Sequence, residues 1–201
     1  MWLDEVLVAI LEVLKFPDPR LRQKADKVDT LTAELVQLAD DMLETMYHSR
    51  GIGLAATQVG CKVRLLVIDT RPRENSRYDL ENLSELEKLV AQPIQIFNPQ
   101  IVQRSGETVF NEGCLSVPGY YEEVTRSDYV EVTGLDKAGK AISIKTDGLL
   151  AICLQHEMDH LEGKLFIDRL SLLKSSKIKN QIKKHGYPDP KDDEHASEDA
   201  L

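Results

Sequence analysis

The sequence predicts an α+β fold in which antiparallel β-sheets surround a buried central helix. Residues 94–146 consist of short β-rich runs separated by turn residues, among them the turn Asp136-Lys137-Ala138-Gly139. Residues 149–162 have the spacing of a helix that is apolar around most of its circumference, which is typical of a helix inside a protein. The chain has 201 residues, of which 42% are hydrophobic, so it is long enough to bury a core of its own.

Charge and composition exclude several classes of protein. The net charge is −9, from 25 basic and 34 acidic residues, which argues against a general nucleic-acid coat and against DNA as a partner. No apolar run reaches the ~18 residues that a membrane span needs, and the N terminus lacks the basic start of a signal peptide. Three widely spaced cysteines do not form a disulfide framework. We therefore expect a cytoplasmic protein without a membrane segment, whose thiols are reduced.

The first third of the chain predicts two elements. Residues 1–15 are apolar and predict a strand or a short helix. Leucine and methionine recur with the helical period over residues 31–48, which predicts an amphipathic helix with Thr30 as its N-cap and Gly51 as its stop.

The next segments predict a tight loop, a strand and a surface excursion. Residues 51–60 are too rich in glycine for a helix and too apolar for a solvated loop, so their backbone is expected to approach another group closely. Residues 63–69 predict a buried strand. Residues 71–92 are polar and predict a surface excursion with a helical turn within 83–90.

The predicted buried helix carries several polar side chains, namely His156, Glu157, Asp159 and His160. Buried polar groups are costly unless they are paired or bind a metal. His156 and His160 form H-E-x-x-H, and residues four apart share one helix face, about 40° apart and about 6 Å along the axis. Two imidazoles placed so can bind one metal ion, with Glu157 as a base for water; the alternative is a histidine pair satisfied by its neighbours.

A catalytic site of this type needs a third protein ligand. The sequence lacks the third ligand of both the metzincin class and the thermolysin class. Phe166 stands where metzincins have their third histidine. The thermolysin class places a glutamate about twenty residues downstream, but residues 169–188 contain no acid. Cysteine is the remaining candidate type.

The three cysteines differ in how well they could reach such a metal. Cys153 lies about 7 Å along the helix axis from it, beyond the reach of about 5 Å, and is expected to be apolar lining. Cys61 is expected to be a buried inert thiol. Cys114 follows a glycine and precedes Pro118, a pattern that fits a sheet edge or turn, so the residues favour Cys114.

The C-terminal part changes character twice. From Arg169 to His185 there are six lysines or arginines and no acid, in a helical pattern. From Tyr187 onward six acids accompany one lysine, which predicts disorder. We therefore predict a catalytic domain over residues 1–168, a basic helix over 169–186 and an acidic disordered tail over 187–201.

Three motifs in order closely resemble those of the bacterial-type peptide deformylases. They are Gly51–Gln58, Glu112–Ser116 and Gln155–His160, and the resemblance runs from about Leu11 to Leu173. It implies a hydrolase that removes the formyl group from the N-terminal formylmethionine of newly made polypeptides by attack of metal-bound water. The alternatives are an H-E-x-x-H metallopeptidase and a non-catalytic metal module.

The resemblance also implies roles for individual residues. Cys114, His156 and His160 would hold one metal ion, usually Fe(II), for which zinc or nickel can substitute. Glu157 would be the general base and then the acid. Gln58 and the backbone N–H of Leu115 would stabilise the oxyanion. Substrate contacts would come from Ile52, Gly53, Phe110, Leu149, Ile152 and Cys153. The basic C-terminal helix would bind the ribosome, from which the substrate emerges.

Overall fold

The computed structural model describes residues 8–72 and 83–188, and within them the fold is α+β, as predicted. A five-stranded sheet has the order β1-β2-β3-β6-β7, and β4 pairs with β5 in a second sheet. All of these strand pairs are antiparallel. The strands are β1 Gly53–Ala55, β2 Leu65–Ile68, β3 Ile94–Ser105, β4 Thr108–Glu112, β5 Glu122–Arg126, β6 Tyr129–Leu135 and β7 Ala141–Thr146. The α-helices are α1 Ala33–His48, α2 Glu85–Lys88, α3 Gly148–Leu161 and α4 Leu172–His185.

Strands of the larger sheet form because apolar side chains recur on the face that meets the helices. All four residues of β2 are buried, which confirms the buried strand predicted over 63–69. In the register of the sheet Leu66 lies opposite Ile96, and Val132 lies opposite Ile144. These four side chains belong to the same hydrophobic core as Leu154 of α3.

Helix α3 lies inside the protein, as its apolar circumference predicts. Eleven of its fourteen residues are buried, and it packs against β1, β2 and β6. Its first turn is capped from outside, because the buried carboxylate of Glu87 on α2 accepts the N–H of Leu150 at 2.7 Å. Gly163, with a φ of 70°, follows its C-terminal end. The helix is therefore fixed at both ends within the core, which gives its side chains defined positions.

The start of α1 differs from the prediction, whereas its end at residue 48 agrees with it. The helix begins at Ala33, because the hydroxyl of Thr32 accepts the N–H of Leu35 and so caps it, whereas Thr30 was expected to do so. It ends at His48, and Arg50 adopts the left-handed conformation with a φ of 56°. The N–H of Gly51 donates to the carbonyl of Met46 at 2.9 Å, which closes the end of the helix just after residue 48.

The N-terminal segment was predicted to be a strand or short helix, and over residues 8–15 that prediction is wrong. Side chains of α1 accept the backbone N–H groups of Ala9 and Leu11, and the carbonyl of Gln58 accepts that of Leu14. These scattered partners satisfy the backbone without a helix or a strand ladder. Residues 1–7 lie outside the described residues.

Two surface regions are described in part. The predicted helical turn within 83–90 is α2, which confirms it, whereas residues 73–82 of the excursion lie outside the described residues. Helix α4 packs on the protein through Ile178 and Ile182. The acidic residues from Asp189 onward also lie outside the described part. Among the helices that are described, none is long and apolar enough to cross a membrane.

Candidate metal centre

Three side chains from two parts of the fold meet in the interior. Cys114 lies in the connection between β4 and β5, and His156 and His160 lie one turn apart on α3. The Sγ atom of Cys114 is 3.3 Å from Nε2 of His160, which is 3.1 Å from Nε2 of His156. These three atoms all lie within 4.8 Å of one another. The structure therefore brings together the cysteine that the residues favour and both histidines of H-E-x-x-H.

The donor set fits a divalent metal ion. Metal–nitrogen distances of ~2.0–2.1 Å and a metal–sulfur distance of ~2.3 Å separate tetrahedral ligands by about 3.3–3.6 Å. The separations of His160 from Cys114 and from His156, 3.3 Å and 3.1 Å, are close to these values. Two imidazoles and a thiolate suit zinc and iron, and three protein ligands leave one position open. Within the described residues, Oε2 of Glu157 is buried without a hydrogen-bond partner. A buried polar atom of this kind indicates that a polar group belongs beside it.

Glu157 lies against the glycine-rich loop. A Cβ atom on Gly53 would overlap Oε1 of Glu157 and would lie 2.8 Å from Sγ of Cys153, so a larger residue here would displace one of these side chains. This confirms the close backbone approach predicted for residues 51–60. Burial raises the pKa of Glu157 to about 7. The carboxyl is therefore suited to exchange a proton near neutral pH.

Gln58 is oriented by two hydrogen bonds. Its Oε1 accepts the N–H of Ala55 at 2.8 Å, and its Nε2 donates to the hydroxyl of Ser116 at 3.1 Å. The same Nε2 is 3.6 Å from Sγ of Cys114. The amide N–H₂ thus faces the cluster, and Leu115 follows Cys114 directly in the chain.

The residues predicted to contact substrate lie at different distances from Glu157 along the fold. Cys153 lies beside Gly53, and its thiol is 3.7 Å from the carbonyl of Ile52, so these three are neighbours of Glu157. Ile152 lies on α3 one turn before His156. Leu149 lies near the start of α3 and Phe110 in the middle of β4. For all six residues a role in substrate binding stays a prediction.

A buried ion-pair network supports His156, and the sequence reasoning missed it. Nδ1 of His156 lies 2.8 Å from Oε2 of Glu112. The guanidinium of Arg126 binds both oxygens of Glu112, at 2.6 Å and 2.9 Å, and also contacts Asp159. One signal was present in the sequence: Arg126 stands two residues after the apolar Val124, and such positions share one face of a strand. In β5 both residues are buried.

The network explains how charge is arranged around the cluster. Burial alone would raise the pKa of Glu112, but hydrogen bonds from Arg126 and His156 outweigh it and lower that pKa to about 2. Burial alone would lower the pKa of His156, but hydrogen bonds with Cys114 and Glu112 leave it raised. Burial, together with the charge of His156, lowers the pKa of His160. An ionised Glu112 accepts the Nδ1 hydrogen of His156, which leaves Nε2 of that ring to bind a metal.

Comparison with known proteins identifies the family. The sequence profile of the family described as polypeptide deformylase matches residues 10–176. The chain belongs to the peptide deformylase family. Enzymes of this family are hydrolases that remove the N-terminal formyl group from nascent peptides. The peptide deformylase prediction is therefore confirmed over the metallopeptidase alternative.

Individual peptide deformylases are similar to this chain over most of their length. The chain is 46% identical to a peptide deformylase of Chromobacterium violaceum, over 88% of this chain and 96% of that protein. It is 45% identical to peptide deformylase 1 of Shewanella oneidensis, over 92% of this chain and 100% of that protein. The crystal structure of a Legionella pneumophila peptide deformylase superimposes with a TM-score of 0.74 at 45% identity, over 88% of this chain and 95% of that one. A peptide deformylase of Ehrlichia chaffeensis in complex with actinonin gives 0.77 at 37% identity, over 89% of this chain and 99% of that one.

Proposed function

We propose that Cys114, His156 and His160 hold one divalent metal ion and that this centre removes the formyl group from N-formylmethionyl peptides. The observation that carries the proposal is the convergence of the three ligand atoms beside the unpartnered carboxylate oxygen of Glu157. When bound, the metal supplies a Lewis acid that makes water a nucleophile near neutral pH.

Glu157 is the proton carrier of the reaction. Its carboxyl is buried, its pKa is raised to about 7, and it is not needed as a ligand. It accepts a proton from the attacking water and then returns a proton to the leaving amine. Gly53 leaves room for the carboxylate because it has no side chain.

Gln58 and the backbone N–H of Leu115 stabilise the developing oxyanion. The Gln58 amide is already oriented by Ala55 and Ser116, so little reorganisation is needed when charge develops. The substrate backbone adds as an extended strand beside Ile52 and Gly53. Its methionine side chain enters a pocket lined by Phe110, Leu149, Ile152 and Cys153.

Release of formate tests the activity directly. The metal-loaded enzyme is given formyl-Met-Ala-Ser, and the same peptide without the formyl group serves as the control. We expect formate from the first and no amide cleavage in the second. Cleavage of peptide bonds in the unformylated peptide would favour a metallopeptidase, and absence of both products would favour a non-catalytic metal module.

Fe(II) is the metal that the proposal assigns, with zinc or nickel as substitutes. Metal content after anaerobic purification identifies the metal. Cys114→Ser should lower the metal occupancy sharply, because it removes the thiolate ligand, whereas the control Cys61→Ser should leave one ion per chain. Equal occupancy in the two variants would show that Cys114 is not a ligand.

Helix α4 is proposed to bind the ribosome, with the protein acting in the cytoplasm. This assignment keeps the division into a catalytic domain over residues 1–168, a basic helix over 169–186 and an acidic tail over 187–201. Ile178 and Ile182 hold the helix on the protein, while Lys177, Lys183 and Lys184 are exposed to solvent. A row of exposed lysines suits the phosphate-rich surface of the ribosome, and the acidic tail limits adsorption to other RNA.

Charge reversal of α4 tests this assignment. Lys174 and Lys179 already pair with Glu122 and Asp168, so the test changes Lys177, Lys183 and Lys184 to Glu. The matched control changes Lys27, Arg104 and Lys140, which are also exposed, to Glu, with the same change in net charge. We expect the first variant alone to lose co-sedimentation with ribosomes at low salt while it still deformylates a short peptide. Equal co-sedimentation of both variants would remove α4 as the docking helix.

A further inference from the structure

Arg169 lies at the surface but reaches into the interior. It follows the 3₁₀ turn Phe166–Asp168 and precedes α4, and its side chain is 35% exposed. Its Nε donates to Oδ2 of Asp159 at 2.5 Å, and its Nη2 donates to Oδ1 at 2.6 Å. This two-point contact fixes the plane of the Asp159 carboxylate, which lies on α3 next to His160.

Asp159 joins Arg169 to the network behind His156. Its Oδ2 also accepts from Nη1 of Arg126 at 2.5 Å. Arg126 in turn holds both oxygens of Glu112, and Glu112 accepts from Nδ1 of His156. A continuous series of charged contacts therefore runs from the half-exposed Arg169 to a side chain that the proposed function assigns to the metal.

The charge balance of this series depends on Arg169. The Arg126 side chain is 1% exposed and faces two carboxylates that are themselves 3% and 10% exposed. With Arg169 present, two guanidinium groups neutralise two carboxylates. Without it, Glu112 and Asp159 would share the one guanidinium of Arg126, with Glu112 otherwise contacted by Nδ1 of His156, and a buried carboxylate that lacks full compensation is strongly unfavourable. Arg126 would then shift toward Asp159 and loosen its hold on Glu112.

We propose that Arg169 is a positioning residue of the metal centre, which acts through Asp159 and Arg126 to keep Glu112 against Nδ1 of His156. The inference rests on the proposed role of His156 as a ligand. Partners that orient a ligating histidine contribute about 10–100-fold to metal affinity or activity. Since Arg169 is further removed from the ligand, we expect its loss to cost about three- to tenfold.

Arg22 provides a matched control. Its side chain is also 35% exposed, and it also binds an aspartate, Asp168, through two nitrogens. Both arginines line the same surface cavity beside α4. Arg22 also donates to the carbonyl of Gly163 at 3.3 Å, and Asp168 is bonded to Lys179 and to the N–H of Leu165. The contacts of this second pair thus run to these groups and not to Asp159 or Glu112.

The experiment compares Arg169→Met, Arg169→Lys and Arg22→Met in the zinc-loaded full chain. Metal affinity is measured by competition with a chelator, kcat and KM with a formyl peptide, and the Nδ1 hydrogen of His156 by proton NMR. We expect Arg169→Met to lower metal affinity and kcat about three- to tenfold with KM unchanged, and to shift the His156 signal. Arg169→Lys should be intermediate, because lysine restores the charge but not the planar fork. Arg22→Met should stay within twofold of wild type.

Several results would overturn the inference. One is wild-type metal affinity and an unshifted His156 signal in Arg169→Met, and another is an equal loss in Arg22→Met. If Arg169→Met does not fold, Arg169→Lys is compared with Arg22→Lys. Equal metal affinities of these two variants would reject the inference that Arg169 positions the metal centre. A wild-type chain that binds no metal would reject the proposed function as well, whereas a metal-binding wild type with unaffected Arg169 variants rejects this inference alone.

Discussion

Helices α3 and α4 have the same length but opposite environments. Each contains fourteen residues, yet α3 buries eleven of them and α4 buries three. Some polar side chains of α3 have fixed partners, as Asp159 has in Arg126 and Arg169, and Glu157 is buried with one oxygen unpartnered. In α4 the lysines are mostly exposed to solvent, and where Lys174 and Lys179 form ion pairs these are with residues outside the helix.

The difference shows that charged residues have different roles when they are buried, as in α3, and when they are exposed, as in α4. A charged group inside the protein must have a partner or change its pKa, and either outcome gives it a defined position or an unusual proton affinity. A charged group in water keeps its ordinary pKa and contributes to long-range attraction instead. Chemistry is therefore expected from α3 and docking from α4.

Removing the carboxylate of Glu157, which is not a metal ligand, should have the largest effect. We expect Glu157→Gln to lower kcat by about 10²–10⁴-fold, the usual contribution of general acid–base catalysis, while the metal content stays at one ion per chain. Lys177→Gln, in the middle of α4, is the control and should turn over a short formyl peptide normally. A Glu157→Gln variant that keeps its metal and stays within tenfold of wild type would show that Glu157 is not the base.

Truncation of one leucine in each helix compares how much α3 and α4 contribute to the free energy of unfolding. Leu154 on α3 has no exposed surface, whereas Leu173 on α4 is 82% exposed. We expect Leu154→Ala to lower the free energy of unfolding by about 2–5 kcal/mol, because it leaves a cavity. Leu173→Ala should change it by less than about 0.5 kcal/mol. Denaturant unfolding of both variants measures this, and equal losses would contradict the assigned burial.

The smallest expected effect concerns how the two helices begin. The hydroxyl of Ser171 accepts the N–H of Lys174 at the start of α4, whereas the first turn of α3 relies on Glu87 from α2. Ser171→Ala should therefore cost about 1 kcal/mol, the usual value for an N-cap. Ser176→Ala, on the exposed face of the same helix, is the control. A loss in the control as large as that in Ser171→Ala would mean that the cap hydrogen bond does not stabilise α4.

Patterns within short stretches of sequence determined a large part of this protein. The apolar circumference of residues 149–162 predicted the burial of α3, and the spacing of His156 and His160 placed both imidazoles on one face. The small residues over 51–60 predicted a close approach, which the structure shows at Gly53 against Glu157. These predictions hold because each depends on helix or strand periodicity or on the size of one side chain, all of which are local properties.

Tertiary structure alone decided what surrounds those residues. Glu112 meets His156 across 44 positions of the chain, and Arg126 meets Asp159 across 33. No periodicity connects such residues, because their contact depends on how β4, β5 and α3 pack. The start of α1 was likewise decided by one hydrogen bond, from the N–H of Leu35 to the hydroxyl of Thr32. The helical period of apolar residues does not distinguish Thr30 from Thr32 as the N-cap. Side-chain partners distant in sequence follow from the packing of whole elements, and that packing is what orients the predicted metal ligand.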